Sequence, residues 1–228
     1  MSSPLAAGTP LTVIAVSNML GDIFDCALAL GLEVRRIVLN QPEVVRERTI
    51  GYRERLAMLP RPPEVIELEQ FQPAPGEACF IGTTSPQRGA LIDALVARHG
   101  LRFATLVHPS AVVSPFARLG QGVFVNAGSV IGPNTVLADH VFVNRGVTVG
   151  HDTRVGAYTR LQPGCNVGGH VEIGAGVMIG MGACVIEERV VGAGCVVAAG
   201  AAVIADVPAG VLVAGVPAAV RKTLAAAD

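Results

Sequence analysis

Aliphatic residues recur at every sixth position through the second half of the chain. Sixteen consecutive positions at this spacing, from Val113 to Val203, all carry Val, Ile or Leu, without an insertion or a slip. Glycine follows this position in eight of the sixteen units, and small or β-branched side chains dominate four residues after it. A strict period of six does not fit an α-helix or a β-sandwich. It is typical of a solenoid of short strands joined by tight turns.

In such a solenoid the aliphatic side chain points inward and stacks on its copies in the coils above and below. Three units close one triangular coil, so equivalent residues of successive coils lie one above another, about 4.8 Å apart. Glycine or asparagine at the turns tolerates a positive φ. With a further unit at Val107 and Ala111, we predict just over five coils.

The first half of the chain has a different pattern, in which short apolar runs alternate with helical stretches. It predicts buried strands at Leu11–Ser17, Glu33–Leu39 and Ala78–Gly82, and helices at Asp22–Leu30, Val44–Leu59 and Gln87–His99. This alternation favours a parallel, Rossmann-like sheet. We therefore predict a small α/β substrate-binding domain over residues 1–104, a parallel β-helix over 105–214 and a C-terminal tail over 215–228.

A parallel sheet of this kind binds ligands beyond the carboxyl ends of its strands. Those ends are predicted at 17–21, 40–41 and 82–85, which makes four polar residues candidates for substrate binding: Ser17, Asn18, Asn40 and Thr83. The loop after the first strand contains one glycine rather than GxGxxG, so NAD binding is disfavoured.

Composition narrows the function classes. A formal net charge of −1 leaves no basic surplus for a nucleic-acid partner. No apolar run approaches the roughly 18 residues of a membrane helix, and no secretory signal is recognisable, so we expect a cytoplasmic protein without a membrane partner. The five cysteines are odd in number and lack metal-ligand spacing, which predicts small buried side chains.

The repeat unit, an aliphatic residue followed by Gly and then by a small residue, resembles the hexapeptide repeat of the left-handed β-helix acyltransferases. The layout is similar to the sugar acetyltransferases of the NeuD/PglD type, strongly over residues 107–218 and weakly over 1–60. The matching segments are Ile81-Gly82 with Arg88, His108-Pro109-Ser110-Ala111, Asn144 seven residues before His151-Asp152, Pro163-Gly164, Gly168-Gly169, and Gly215-Val216-Pro217-Ala218. The resemblance implies left-handed winding and acetyl-CoA-dependent acetylation of an amino sugar, nucleotide-linked in this family.

The resemblance also implies roles for individual residues. His151 is the general base and Asp152 supports its imidazole, whereas spacing alone favours an exposed polar corner. The N–H of Gly169 binds the thioester carbonyl. Asn144 and Arg88 belong to the substrate site, and His170, on nearly the same corner as His151, is a second polar contact.

Acetyl-CoA is expected to pass Gly180, Ala199 and Gly200. Arg160 stands where the family commonly has histidine, and it contacts either a carboxylate or phosphate, or only solvent. Lys222, with Arg221, meets the CoA phosphates or belongs to a solvated tail. No long loop interrupts the repeats, so we expect a neighbouring subunit in a homotrimer to form the other side of the acetyl-CoA groove. We expect no metal.

The sequence departs from the family in the N-terminal domain, which lacks a Gly-Gly-His loop and has Asn40-Gln41 where acidic residues are usual. These departures leave the acceptor open, and O-acetylation of a sugar or sialic acid stays an alternative to N-acetylation. A γ-carbonic-anhydrase-like zinc hydratase is disfavoured, because the spacing of His140, His151 and His170 predicts no close pair of histidines. A non-catalytic scaffold is the third alternative.

Overall fold

The computed structural model describes residues 5–15, 17–40, 50–85 and 87–224. Their contacts divide the chain into two compact units, one of Ser3–Ala104 and the other containing Thr105–Asp228. The division follows Ala104, where the composition of the chain changes. None of the described helices combines the length and the apolar character needed to cross a membrane.

The first unit is built on a parallel sheet. Its strands are β1 (Pro10–Ile14), β2 (Glu33–Leu39), β3 (Glu64–Glu67) and β4 (Ala78–Ile81), and its helices are α1 (Leu20–Ala29), α2 (Tyr52–Leu56) and α3 (Arg88–His99), with a 3₁₀ turn at Leu68–Gln70. The strands lie in the order β3-β2-β1-β4, and every neighbouring pair is parallel. The order places the carboxyl ends of β2, β1 and β4 side by side.

Parallel strands between helices are therefore confirmed, whereas the Rossmann-like classification stays a prediction. The sequence pattern missed β3, because this edge strand exposes most of its side chains and has no apolar run. The helix predicted at Val44–Leu59 is present only as α2, and residues 44–49 lie outside the described part of the chain. Strand β1 stops at Ile14, since Ala15 adopts a left-handed conformation with φ 62°.

The second unit is a parallel β-helix with three sheets, which fits the predicted left-handed solenoid. The five-stranded sheet contains β7 (Arg118–Leu119), β10 (Val136–Leu137), β13 (Arg154–Val155), β16 (Glu172–Ile173) and β19 (Val190–Val191). The six-stranded sheet contains β6 (Val112–Val113), β9 (Val130–Ile131), β12 (Thr148–Val149), β15 (Asn166–Val167), β18 (Cys184–Val185) and β21 (Ala202–Val203). The eight-stranded sheet contains β5 (Leu106–Val107), β8 (Phe124–Val125), β11 (Phe142–Val143), β14 (Arg160–Leu161), β17 (Met178–Ile179), β20 (Val196–Val197), β22 (Val211–Ala214) and β23 (Ala219–Thr223).

The register confirms that three units close one coil. Val143 of β11 pairs with Leu161 of β14, and Val149 of β12 pairs with Val167 of β15, each 18 residues further on. The second residue of each two-residue strand points inward, and the inner side chains from Val125 to Val203 are almost completely buried. Stacked aliphatic side chains thus form one continuous core along the solenoid axis.

Buried hydroxyl groups tie the turns of neighbouring coils together. Thr135, Thr153 and Thr159 are fully buried, and each donates its Oγ1–H to a backbone carbonyl 15 residues further on, at 2.7 to 2.9 Å. Because a buried hydroxyl without a partner would destabilise the fold, these bonds explain why threonine is tolerated inside the prism.

Two predictions about side-chain and chain-end placement need correction. Cys26, Cys79, Cys165 and Cys195 are buried as expected, but Cys184 is exposed because it is the outward residue of β18. The predicted tail contains strand β23, which pairs antiparallel with β22. This reversal covers the last parallel edge of the eight-stranded sheet with a strand that carries Arg221 and Lys222.

The aliphatic stack makes a prediction for stability. Val143→Ala should lower the free energy of unfolding by about 2 kcal/mol, because it removes two buried carbon atoms and leaves a small cavity. Val112→Ala is the matched control, since Val112 is 64% exposed on the outer face of β6. Chemical denaturation followed by circular dichroism measures both. Equal losses in the two variants would contradict an interior core at the sixth position.

Candidate active site

One edge of the prism carries the polar residues that the sequence singles out. We call it the dyad edge: the turns 114–117, 132–135, 150–153, 168–171 and 186–189, which lead from the six-stranded to the five-stranded sheet. Asn134, Asp152, His170 and Glu188 occupy the third position of their turns, with φ between 54° and 59°. The repeated backbone conformation therefore aligns one column of polar side chains along this edge.

His151 and Asp152 form a hydrogen-bonded dyad on this edge. Nδ1 of His151 lies 2.8 Å from Oδ2 of Asp152, and the two side chains are 56% and 38% exposed. The amide of Asn134 donates to the other carboxylate oxygen of Asp152 at 3.1 Å. The hydrogen bonds from His151 and Asn134 lower the pKa of Asp152 below its ordinary value, with a smaller contribution from the nearby charge of His170.

This arrangement determines which nitrogen of His151 is available. An ionised carboxylate can only accept hydrogen bonds, so Nδ1 carries the proton that faces Asp152. In the neutral imidazole, Nε2 then keeps its lone pair and can accept a proton from a ligand. The dyad can therefore serve as a general base.

Gly169 lies directly against the ring of His151. A Cβ atom on Gly169 would stand 2.9 Å from both Cε1 and Nε2 of that imidazole. The backbone itself does not require glycine, because Gly169 has no positive φ and the equivalent position of the neighbouring coils holds His151 or Glu187. The glycine is needed for close approach of the two turns.

The backbone N–H of Gly169 is also available as a donor. Within the described part of the chain, no oxygen accepts a hydrogen bond from it. The donor therefore lies beside Nε2 of His151, where a base and a hydrogen-bond donor can act on the same ligand.

His170 completes a cluster of three polar side chains. Its ring packs edge-on against the ring of His151, with the centroids 5.0 Å apart. The spacing-based prediction that the chain has no close histidine pair is therefore wrong, because the turn at His170 stacks on the turn at His151. His151, Asp152 and His170 each offer a metal-ligand atom within 4.8 Å of the others, so this cluster could also hold a cation.

A cavity of about 430 Å³ opens beside the dyad. Its walls are Phe116, Arg118, Asn134, Val136, Asp152, Arg154 and His170. Sequence reasoning missed Phe116, Arg118, Asn134, Val136 and Arg154. The repeat could have indicated that these residues lie together, because Asn134 precedes Asp152 by one coil and Arg118 precedes Arg154 by two coils on the same face.

Several residues predicted for the cosubstrate or substrate lie on other parts of the solenoid. Arg160 is on the outer face of the eight-stranded sheet, where partial burial lowers the pKa of its guanidinium. Gly180, Ala199, Gly200 and Asn144 belong to turns from the eight-stranded to the six-stranded sheet, which form a different edge. On a single chain these residues therefore do not line the surface around His151.

Asn144 and His140 are both buried, and Asn144 is therefore less accessible than its predicted role in the substrate site requires. Asn144 is 4% exposed, and its Oδ1 accepts a hydrogen bond from the N–H of Arg145, so it supports its own turn. His140 is 5% exposed, and its ring stacks on the ring of Tyr158. The six-residue period does not reveal that these two polar side chains are buried at their turns.

The candidates in the first unit follow the ends of adjacent strands. Ser17 donates its Oγ–H to the carbonyl of Gly82 at 2.8 Å, which links the ends of β1 and β4. Thr83 accepts a hydrogen bond from the N–H of Ser85, and Arg88 is buried and donates to the carbonyl of Thr84. These bonds shape the loop after β4.

The asparagines of this unit differ in exposure. Asn18 is exposed in the turn after Ser17. Oδ1 of Asn40, at the end of β2, is buried, and it has no hydrogen-bond partner in the described part of the chain. A buried acceptor without a partner is the kind of group that a ligand donor can satisfy. Gln41 lies outside the described residues.

The chain is similar to solved structures of sugar N-acetyltransferases. A mutant of perosamine N-acetyltransferase from Caulobacter crescentus, solved in complex with CoA and GDP-perosamine, is 29% identical over 97% of this chain and 100% of that chain, with a TM-score of 0.78. The acetyltransferase domain of PglB from Neisseria gonorrhoeae, in complex with acetyl coenzyme A, is 29% identical over 94% of this chain and 100% of that chain, with a TM-score of 0.79.

WeeI from Acinetobacter baumannii shares the fold, with 20% identity over 92% of this chain and 99% of that chain and a TM-score of 0.75. No protein-family model matches the sequence, and no curated protein matches it. The structural neighbours confirm the resemblance to left-handed β-helix acetyltransferases. Within that class, the similarity is to the sugar N-acetyltransferases and extends over nearly the whole chain.

The hydrogen bonds to Asp152 make a prediction for pH dependence. Asn134→Ala should raise the pKa of Asp152 toward its ordinary value, because it removes a donor to the charged form. A carboxyl whose pKa is lowered in the folded state contributes stability above its unfolded pKa, and this stability is lost as the pH falls through the folded pKa. In Asn134→Ala the contribution should therefore be smaller, and its loss should be complete at a higher pH.

Carboxyl-carbon NMR shifts recorded against pH measure the pKa. Asn166→Ala is the control, since Asn166 bonds Thr148 on another face. An unchanged titration of Asp152 in Asn134→Ala would refute the assigned role of Asn134.

Proposed function

We propose that the protein transfers an acetyl group from acetyl-CoA to the amine of a nucleotide-linked amino sugar, with His151 as the general base. The observation that carries the proposal is the dyad: Nδ1 of His151 is 2.8 Å from Asp152, while Nε2 faces the N–H-bearing backbone of Gly169. The similar perosamine enzyme was solved with CoA and GDP-perosamine, and two of its solved variants replace one histidine. That comparison is consistent with a functional histidine in this class of enzyme.

The reaction needs one proton acceptor and one oxyanion donor. Nε2 of His151 accepts the proton of the acceptor amine as its nitrogen attacks the thioester carbonyl. The N–H of Gly169 donates to the oxygen of that carbonyl as negative charge develops on it. The carbon–nitrogen bond forms, the carbon–sulfur bond breaks, and the imidazolium of His151 returns its proton to the thiolate of CoA.

Asp152 and Asn134 keep the base in its working state. The carboxylate holds the Nδ1 proton and stabilises the imidazolium that forms during transfer. Asn134 fixes the second oxygen of that carboxylate, which limits rotation of Asp152. His170 packs against the open side of the His151 ring, where it restricts the orientation of the imidazole and offers a further polar contact.

We propose a homotrimer in which a second subunit completes the site. Gly180, Ala199, Gly200, Asn144 and Arg160 lie away from the dyad edge of their own chain. Apart from the buried Asn144, they can reach a ligand at that edge only from a neighbouring molecule, which is consistent with acetyl-CoA lying between two solenoids. Arg221 and Lys222, exposed on β23, can pair with its phosphates.

A second candidate function follows from the metal-ligand geometry of His151, Asp152 and His170. A zinc hydratase would need a stoichiometric metal ion at this cluster, with water in an open coordination position. Elemental analysis of the purified protein, combined with a carbon dioxide hydration assay, separates the two functions. One zinc per chain together with hydratase activity would replace the acetyltransferase proposal.

The decisive assay measures thiol release from acetyl-CoA against UDP-, GDP- and dTDP-linked amino sugars, with the matching hydroxy sugars as the test for O-acetylation. His151→Asn should lower kcat by about 10²- to 10⁴-fold on the best acceptor, because it removes the general base. His99→Gln, in the last turn of α3, is the histidine control and should retain activity. Full activity of His151→Asn would eliminate His151 as the base.

Gly169→Ala tests the close contact between the two turns. The new methyl group would meet the imidazole at 2.9 Å and displace it, so we expect at least about a tenfold loss of kcat/KM with little change in melting temperature. Glu187→Ala changes the equivalent position one coil further on and should retain wild-type activity. Wild-type kinetics in Gly169→Ala would show that the ring tolerates the methyl group and that the contact is not required.

A further inference from the structure

The cavity beside the dyad contains two cations that have no ion-pair partner among the described residues. Arg118 and Arg154 line it and are exposed, and neither guanidinium forms an ion pair or a hydrogen bond with a described residue. Most other cavity residues are apolar or uncharged. Unpaired guanidinium groups that face a common cavity are suited to bind an anion.

The β-helix holds these two residues on one face. Arg118 begins β7 and Arg154 begins β13, with Val136 of β10 between them in strict register. Two strand spacings separate their backbones by about 10 Å, and both side chains are long enough to converge over Val136. Phe116 adds an exposed aromatic surface at the same end of the cavity.

Asp152 is a carboxylate that also lines the cavity, so its effect on an anion must be considered. Its two oxygens already accept hydrogen bonds from His151 and Asn134. The remaining wall residue with an ionisable side chain is His170. Glu172 follows Arg154 on the next strand of this face, forms no ion pair with it, and does not line the cavity. The cavity therefore has a surplus of positive charge.

We infer that this cavity binds the diphosphate of the sugar-nucleotide acceptor, with Arg118 and Arg154 as its ligands; the identity of the acceptor rests on the proposed function. Paired guanidinium groups match the geometry of phosphate oxygens and hold them by charge-assisted hydrogen bonds. Binding the diphosphate here places the attached sugar next to Asp152 and His151. Arg118 and Arg154 thus position the acceptor relative to the base.

The direction of the cavity distinguishes the acceptor from acetyl-CoA. The cavity begins at His170, one coil after the dyad, and most of it lies over the earlier coils, past Asn134 and Val136 to Phe116 and Arg118. The donor N–H of Gly169 is in the following coil, on the other side of His151. A thioester bound at Gly169 and a diphosphate bound at Arg118 therefore approach the base from opposite directions, which leaves the earlier coils to the acceptor.

The first test measures binding without catalysis. Isothermal titration calorimetry with inorganic pyrophosphate should show binding to the wild-type protein, and Arg118→Gln and Arg154→Gln should each raise Kd about tenfold. Arg189→Gln is the matched control, because Arg189 lies on the dyad edge outside the cavity and pairs with Asp206. No binding to the wild type, or an equal loss in Arg189→Gln, would overturn the inference.

The second test identifies the source of the phosphates. With an amino-sugar acceptor that the wild type acetylates, both cavity variants should raise KM for the acceptor about tenfold while KM for acetyl-CoA and kcat stay within about twofold. An increase in KM for acetyl-CoA instead would assign the phosphates to CoA and overturn the inference. If no acceptor is turned over but pyrophosphate binding still depends on Arg118 and Arg154, the proposed function fails and the anion site stands.

Discussion

The inward stacking of one aliphatic side chain in every six residues is the constraint on which the second unit depends. Each inner residue contacts its copies in the coils before and after it, so the core holds only if every coil has the same length. The inner column that includes Val125, Val143 and Leu161 shows this, with side chains that are fully buried and paired strictly 18 residues apart. A regular coil in turn fixes every outward side chain, because the position within the repeat determines the face or edge on which a residue lies.

The site uses this regularity at one edge and departs from it at one residue. The turn conformation that recurs at Asn134, Asp152 and His170 aligns polar side chains into a column. The neighbouring turns of this edge carry a side chain at the position that Gly169 occupies. At Gly169 the side chain is missing, and the ring of His151 fills the space that a Cβ atom would take. The geometry suited to proton transfer therefore comes from a single small residue placed in an otherwise uniform lattice.

The repeat allowed the solenoid, its coil length and its interior to be predicted from the sequence, because a strict period leaves few alternative structures. It also placed His151, Asp152, Gly169 and His170 on one edge. Burial of polar residues at the turns was not predictable in the same way, since Asn144 is buried whereas Ile186, at the same position in the period, is exposed. The edge strand β3 was missed because its exposed side chains have no apolar pattern. The burial of Oδ1 of Asn40 could not be predicted either, because it depends on how the surrounding residues pack.

The register of the coils has a consequence for how the chain can change in length. Insertion of one six-residue unit between Val136 and His151 would preserve the interior, yet it would move His151 and every later side chain to the next edge of the prism. Insertion of three units would return them to the original edge, one level higher. Arg118 and Arg154 share a face because 36 residues separate them, which is a whole number of coils. Length variation between these residues is therefore compatible with the site only in steps of a full coil, whereas the stability of the solenoid permits steps of a third of a coil.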